Sequence, residues 1–218
     1  MTKEEFINEI KIYDFKIIEA VQDYYLIERL VDWQNDVGNE FKLYNSTFIP
    51  VSRALHTNFV LIYTSLFDRR SKYSIEYLID QSSKQSWYPF GMDMVFKKIK
   101  DLFEQNLTTT KNIPDTKRIK TTDIAMKWRD KVLAHNDVEG INEEMFDNLK
   151  LNYRLPTLEM LRNLCILHDY INEIRELFGL NKLLIVTKDQ SLDLCMSKIF
   201  DTSLYPPIGF DFSYTDNR

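Results

Sequence analysis

Only five glycines and six prolines punctuate this chain of 218 residues. A β-sandwich or barrel needs turns at close intervals, and tight turns draw heavily on these two residue types. A chain so short of them is pushed toward long helices. Phenylalanine, tyrosine and tryptophan make up 13% of the residues, enough large side chains for a sizeable helical core. The expected class is therefore all-α, organised as a single domain over residues 1–218.

Local patterns place the helices. Thr2 with Glu5 three residues on forms a capping-box pattern. An apolar series Phe15, Ile18, Tyr25, Leu26, Leu30 and Trp33 then continues until Gly38. Pro50 is expected to precede a second long helix, with Leu55, Phe59, Ile62, Tyr63, Leu66 and Phe67 on one face. Short helices are expected over Ser74–Ile79 and Met92–Phe103, followed by a polar loop around Thr108–Pro114. Another runs from about Thr121 to His135, and Asn142 can cap a short one over Glu143–Leu149. Pro156 opens the clearest helix, with a stripe of Leu158, Leu161, Leu164, Cys165, His168, Ile171, Ile174 and Phe178, and Gly179 as its stop. The run 183–187 reads as a short strand, and Phe210, Phe212 and Tyr214 alternate as a half-buried strand would. A two-stranded β element near the C-terminus is thus expected.

Composition narrows the function. Cys165 and Cys195 lack metal-type spacing and read as reduced thiols. Met1–Glu9 is charged and unlike a signal peptide, and no run approaches a membrane span, so a cytoplasmic location without membrane contact is expected. His56, His135 and His168 are far apart, and His168 reads as a core residue, so neither a metal site nor a cofactor is expected. No Gly-rich phosphate loop or nucleophile elbow is present. Charge is uneven: residues 1–50 hold ten acidic and five basic side chains, whereas residues 94–131 hold ten basic and five acidic. The basic stretch suits a polyanion or, equally, a solvated face.

The segment Trp128-Arg129-Asp130-Lys131-Val132-Leu133-Ala134-His135-Asn136-Asp137 has catalytic character. On an ideal wheel of about 100° per residue, Ile124, Ala125, Trp128, Val132 and Leu133 share one arc. His135, at roughly 20° from Ile124, and Arg129, at roughly 140°, fall inside it. An arginine so placed needs an anion. A bound phosphate would answer, and so would a structural carboxylate, with Asp68 the candidate. His135 near a helix C-terminus is equally compatible with a purely structural histidine.

This segment resembles the signature of HEPN domains, particularly the AbiU-like group tied to phage abortive infection: an arginine, a polar neighbour, and a histidine after a short spacer. Here five residues separate Arg129 from His135. Leu61-Ile62-Tyr63-Thr64-Ser65-Leu66-Phe67-Asp68 is similar to the Leu-Phe-Asp segment that the group carries on a preceding helix. The resemblance covers roughly residues 50–180, leaving an acidic N-terminal helix (1–49) and an aromatic C-terminal extension (181–218) outside. It implies a HEPN-like bundle that dimerises to face two motifs across one cleft, and metal-free cleavage of RNA by its own 2′-hydroxyl. Arg129 and His135 would be catalytic, supported by Asp130, Asn136 and Asp68, with Lys127, Lys131, Lys120 and Arg118 holding RNA. The implied partners are RNA, a second copy, and an antitoxin or defence-system protein. In some HEPN toxins a tyrosine two residues past the histidine is modified by a partner enzyme; Asp137 stands there, against such a partner. The alternatives are a non-catalytic HEPN-like dimer binding RNA, a nucleotide or a protein, and a structural protein with no ligand.

Overall fold

The computed structural model describes residues 1–38, 45–69, 71, 74–105, 107–109, 118–130 and 155–185. The described part is mostly helical, as the scarcity of turn residues demands. Its elements are α1 (Lys3–Val37), α2 (Asn45–Phe67), α3 (Ile75–Ser82), α4 (Met92–Gln105), β1 (Leu107–Thr109), β2 (Arg118–Lys120), α5 (Thr121–Trp128) and α6 (Thr157–Leu177). No described helix is long and apolar enough to cross a membrane.

The capping box at the start of α1 is formed in full. Glu5 N donates to Thr2 Oγ1 at 3.1 Å, and Thr2 N donates to Glu5 Oε2 at 2.7 Å. The helix stops at Gly38, whose φ of +58° suits a residue without a Cβ. Its buried face differs from the expected one. Phe6, Ile10, Tyr13, Ile17, Ala20, Tyr24 and Ile27 are buried, in alternating steps of four and three, whereas Phe15 is 69% exposed and Ile18 only half-buried. That spacing keeps one seam against its neighbours along most of the helix. Of the expected series only Leu30 and Trp33 are buried.

α2 begins earlier than expected, at Asn45, so Pro50 lies within it. Pro50 cannot donate the helical bond to the carbonyl of residue 46, and its ring crowds that carbonyl. Its inner face is the expected one: Phe59, Ile62, Tyr63, Leu66 and Phe67 are buried. Ser74 caps α3 by accepting from Tyr77 N at 3.3 Å. In α6, Leu164, His168, Ile171 and Ile174 are buried as expected, but Leu158 in the first turn is 55% exposed; Met160, Asn163 and Leu167 turn inward. Gly179, at φ +71°, ends the helix, and Leu180 N returns to Arg175 O at 2.9 Å.

α1 packs most extensively on α2 and then on α6, and α4 packs on α6. The N-terminal helix, outside the resemblance, is therefore central to this core. Phe6, Trp87 and Phe178 close one end, with Phe6 centroids 5.3 and 5.4 Å from the other two. Tyr63 stacks on Phe67 at 4.6 Å, and Phe67 meets Phe103 at 5.1 Å, linking α2 to α4.

The β structure falls elsewhere than expected. Leu107–Thr109 pairs antiparallel with Arg118–Lys120 in the register Leu107↔Lys120, Thr108↔Ile119, Thr109↔Arg118, where the sequence reads as the edge of a polar loop. β2 runs straight into α5 and so sets where that helix begins. Residues 183–185 form no strand, because the main chain of Leu183 is engaged by a side chain: its N–H donates to Asn172 Oδ1 at 2.9 Å, and its carbonyl accepts from Asn172 Nδ2 at 3.0 Å. The Glu143–Leu149 helix, Cys195, residues 186–187 and the strand at 210–214 lie outside the described residues.

Candidate functional site

α5 is short, with Ile124 and Ala125 fully buried against the bundle. Beyond Trp128 the chain widens into a π turn through Arg129 and Asp130. Such a turn displaces side chains from the ordinary helical register, and it recurs at functional sites. The Arg129 side chain is 30% exposed, half-buried as its place on the wheel requires. Its Nε donates to Asp130 Oδ1 at 2.8 Å, a charge-assisted hydrogen bond between neighbours.

The second partner of Arg129 comes from α2. Asp68 follows the last residue of that helix and still donates its N–H to Thr64 O at 2.9 Å. Its carboxylate is 14% exposed, and its Oδ2 lies 3.7 Å from Arg129 Nη1. At that distance the contact is an ion pair and not a hydrogen bond. The carboxylate expected to answer Arg129 is thus beside it, and the fold joins Leu66-Phe67-Asp68 to the start of the Arg129 segment.

The other sequence-selected residues are spread unevenly. Lys127 on α5 and Lys120 at its start are half-buried. Arg118 lies in β2, where only its main chain is described. Lys131, His135 and Asn136 lie outside the described residues. Of the selected set, the described fold brings together Arg129, Asp130 and Asp68. Among the described residues, no three His, Cys, Asp or Glu side chains gather as a metal site would.

Sequence reasoning missed Arg69, which directly follows Asp68. It is 41% exposed, its Nε is 3.1 Å from Glu76 Oε2, and its Nη2 is 3.9 Å from Glu104 Oε1. Its guanidinium lies over the Phe103 ring at 5.6 Å. The available signal was the basic run Arg69-Arg70 immediately after Leu-Phe-Asp.

A second polar cluster, between α1 and α6, was foreseen only through His168. Asp14 is 1% exposed and accepts from Arg175 Nη1 at 2.9 Å, while Arg175 Nε donates to Asn181 O at 2.7 Å. His168 Nε2 is 3.0 Å from the Leu183 carbonyl. On its other side, Nδ1 faces Asp14 Oδ1 at 3.6 Å, and neither atom has a hydrogen-bond partner. Burial raises the Asp14 pKa, opposed first by Arg175 and then by His168. His56 is occupied on its own helix, its Nδ1 2.8 Å from Ser52 O. Cys165 is half-buried, and burial, helped by the charge of Asp169, pushes its thiol up to about 11, so it stays protonated.

No family model matches the chain, and comparison with curated proteins and with solved structures also gave no match.

Proposed function

We propose that this chain is a metal-independent endoribonuclease of HEPN type, acting in phage defence or as a growth-arresting toxin. The observation that carries the reading is the meeting of Asp68 with Arg129, at 3.7 Å, on a widened turn. It unites the two sequence segments on which the resemblance rests. In the proposed reaction the RNA 2′-hydroxyl attacks the adjacent phosphorus and expels the 5′-oxygen, leaving a 2′,3′-cyclic phosphate. His135 transfers protons, for which an imidazole with an ordinary pKa of about 6.5 is suited. Arg129 neutralises charge gathering on the non-bridging oxygens. Asp68 and Asp130 aim the guanidinium, and Asn136 positions the histidine. One motif holds one histidine and the reaction needs two proton transfers, so a twofold dimer facing two motifs is part of the proposal. Lys120, Lys127, Lys131 and Arg118 would hold the RNA backbone.

The test is cleavage of a labelled RNA in EDTA by wild type, Arg129→Ala and His135→Ala, each checked for folding. Cleavage by wild type alone, with cyclic phosphate ends, is the expected result. Equal cleavage by all three would trace the activity to a contaminant and overturn the assignment. A second reading, a non-catalytic RNA-binding dimer, is favoured by one observation: Arg129 already has two carboxylates beside it. Binding without cleavage by wild type would select it.

A further inference from the structure

Arg69 is anchored without spending its hydrogen bonds. Phe103, only 4% exposed, lies under its guanidinium, and Glu76 of α3 and Glu104 of α4 flank it. The Glu76 contact is short but poorly aligned, and Glu76 Oε2 makes no hydrogen bond. Among the described residues, none of the N–H donors of Arg69 is engaged in one. A guanidinium ordinarily fills a fork of donors, and a cation–ring contact uses none of them. Two carboxylates and a ring from two helices, α3 and α4, thus orient the group without satisfying it. Arg69 directly follows Asp68, which contacts Arg129, so its main chain adjoins that site.

We propose that Arg69 is an RNA-binding residue: it holds a phosphate of the strand next to the one that Arg129 meets. This rests on the proposed site at Arg129 and extends it along the RNA. A phosphate oxygen supplies the acceptor that neither glutamate provides in good geometry, and Arg is the side chain that receives it bidentately. Glu76 and Glu104 tune the contact. They hold the guanidinium in place and also compete with phosphate for its charge.

The experiment is the salt dependence of binding to a labelled single-stranded 2′-O-methyl RNA, which lacks the attacking hydroxyl and stays intact. Removing one phosphate contact takes about 0.7 from the slope of log affinity against log salt for a single strand. Arg69→Ala is expected to lose that much slope and to bind about tenfold more weakly, with an unchanged melting temperature. Arg69→Lys keeps the slope, because the charge stays, and loses part of the affinity, because the fork is gone. Glu104→Gln, at a well exposed position, removes a competing charge and binds about twofold to threefold more tightly. A wild-type slope in Arg69→Ala, or no binding by wild type, would overturn the proposal. RNA cleavage with an unaltered slope in Arg69→Ala sinks this inference and leaves the nuclease standing. An Arg69-dependent slope without cleavage of ordinary RNA does the reverse.

Discussion

Two arginine–carboxylate pairs in this molecule use the same chemistry to different ends. Arg175 and Asp14 meet at 2.9 Å, with side chains 9% and 1% exposed. Arg129 and Asp68 meet at 3.7 Å, at 30% and 14% exposure. The buried pair is fastened into the packing. Arg175 also holds the Asn181 carbonyl, and the adjacent His168 and Asn172 hold the main chain of Leu183, so the cluster straps residues 181–183 across α1 and α6. Desolvating two charges is costly, and the outlay is recovered only when geometry is close and the remaining donors find acceptors. The Arg129 pair fails the first condition, although Arg129 Nε does find an acceptor in Asp130. It is looser, wetter and set on a distorted turn, so an incoming anion competes with two carboxylates for a half-buried guanidinium. Burial, and not residue type, separates a strut from a site.

The largest difference expected between the two is in chemistry. On the proposed nuclease reading, Arg129→Ala and His135→Ala should each lower RNA cleavage by about 10²–10³-fold, the scale for losing a group that meets transition-state charge or moves a proton. A paired thermal melt should show Arg129→Ala folding normally, since partly exposed ion pairs are worth about 0–1 kcal/mol. A large loss of stability in that variant would reclassify Arg129 as a strut.

The same truncation in the buried pair should act on stability instead. Arg175→Ala leaves Asp14 buried and unpaired, which costs about 3–5 kcal/mol. Urea unfolding measures this directly. A loss under about 1 kcal/mol would mean that water reaches Asp14 and that the contrast between the pairs fails.

The two regions also differed in how far the sequence disclosed them. The Arg129 site is carried by short local runs, Leu66-Phe67-Asp68 and the segment from Trp128, and helical periodicity alone puts Arg129 inside an apolar arc. The ion pair with Asp68 was therefore foreseeable. The Asp14 cluster joins residues up to 169 apart along the chain, from Asp14 to Leu183, by tertiary packing that no local pattern encodes. An aspartate in an acidic helix carries no sign of burial, and the expected apolar series ran through its neighbour Phe15. The seam at Phe6, Ile10, Tyr13, Ile17, Ala20, Tyr24 and Ile27 was legible in its spacing, and it excludes Phe15. Asn172 was invisible for a related reason: its role is to occupy a backbone that otherwise reads as a strand. Arg69 was missed because a charged residue just past a helix end reads as solvated until Phe103 is found beneath it.

Asn172 gives the next prediction in size. Asn172→Ala leaves the Leu183 amide without its side-chain partner, while the Leu183 carbonyl keeps His168, and losing such part-exposed hydrogen bonds costs about 0.5–1.5 kcal/mol each. Hydrogen exchange at the Leu183 amide should speed up more than exchange within α2, because the strap loosens locally before the bundle opens. Equal acceleration throughout would show that residues 181–183 unfold only with the whole domain.

The smallest effect tests what burial does to Asp14 itself. Its pKa is raised in the folded state: desolvation disfavours the carboxylate by more than Arg175, and then His168, favour it. Below the ordinary value of 3.8 the carboxyl is neutral in both folded and unfolded chains, and Asp14 behaves much as an asparagine would. As pH rises past that value the unfolded chain gives up the proton first, so unfolding is favoured until the folded carboxyl also ionises. Wild type should therefore lose stability relative to Asp14→Asn as pH rises from about 3.5, with the difference levelling off once the folded-state pKa is passed. Urea unfolding of both proteins across that range, read as their difference, isolates this group from the other carboxylates. The reverse trend, with wild type gaining on Asp14→Asn toward neutral pH, would mean that Arg175 outweighs desolvation. The buried pair would then be a net source of charge stabilisation, and the distinction from Arg129 would rest on access to solvent alone.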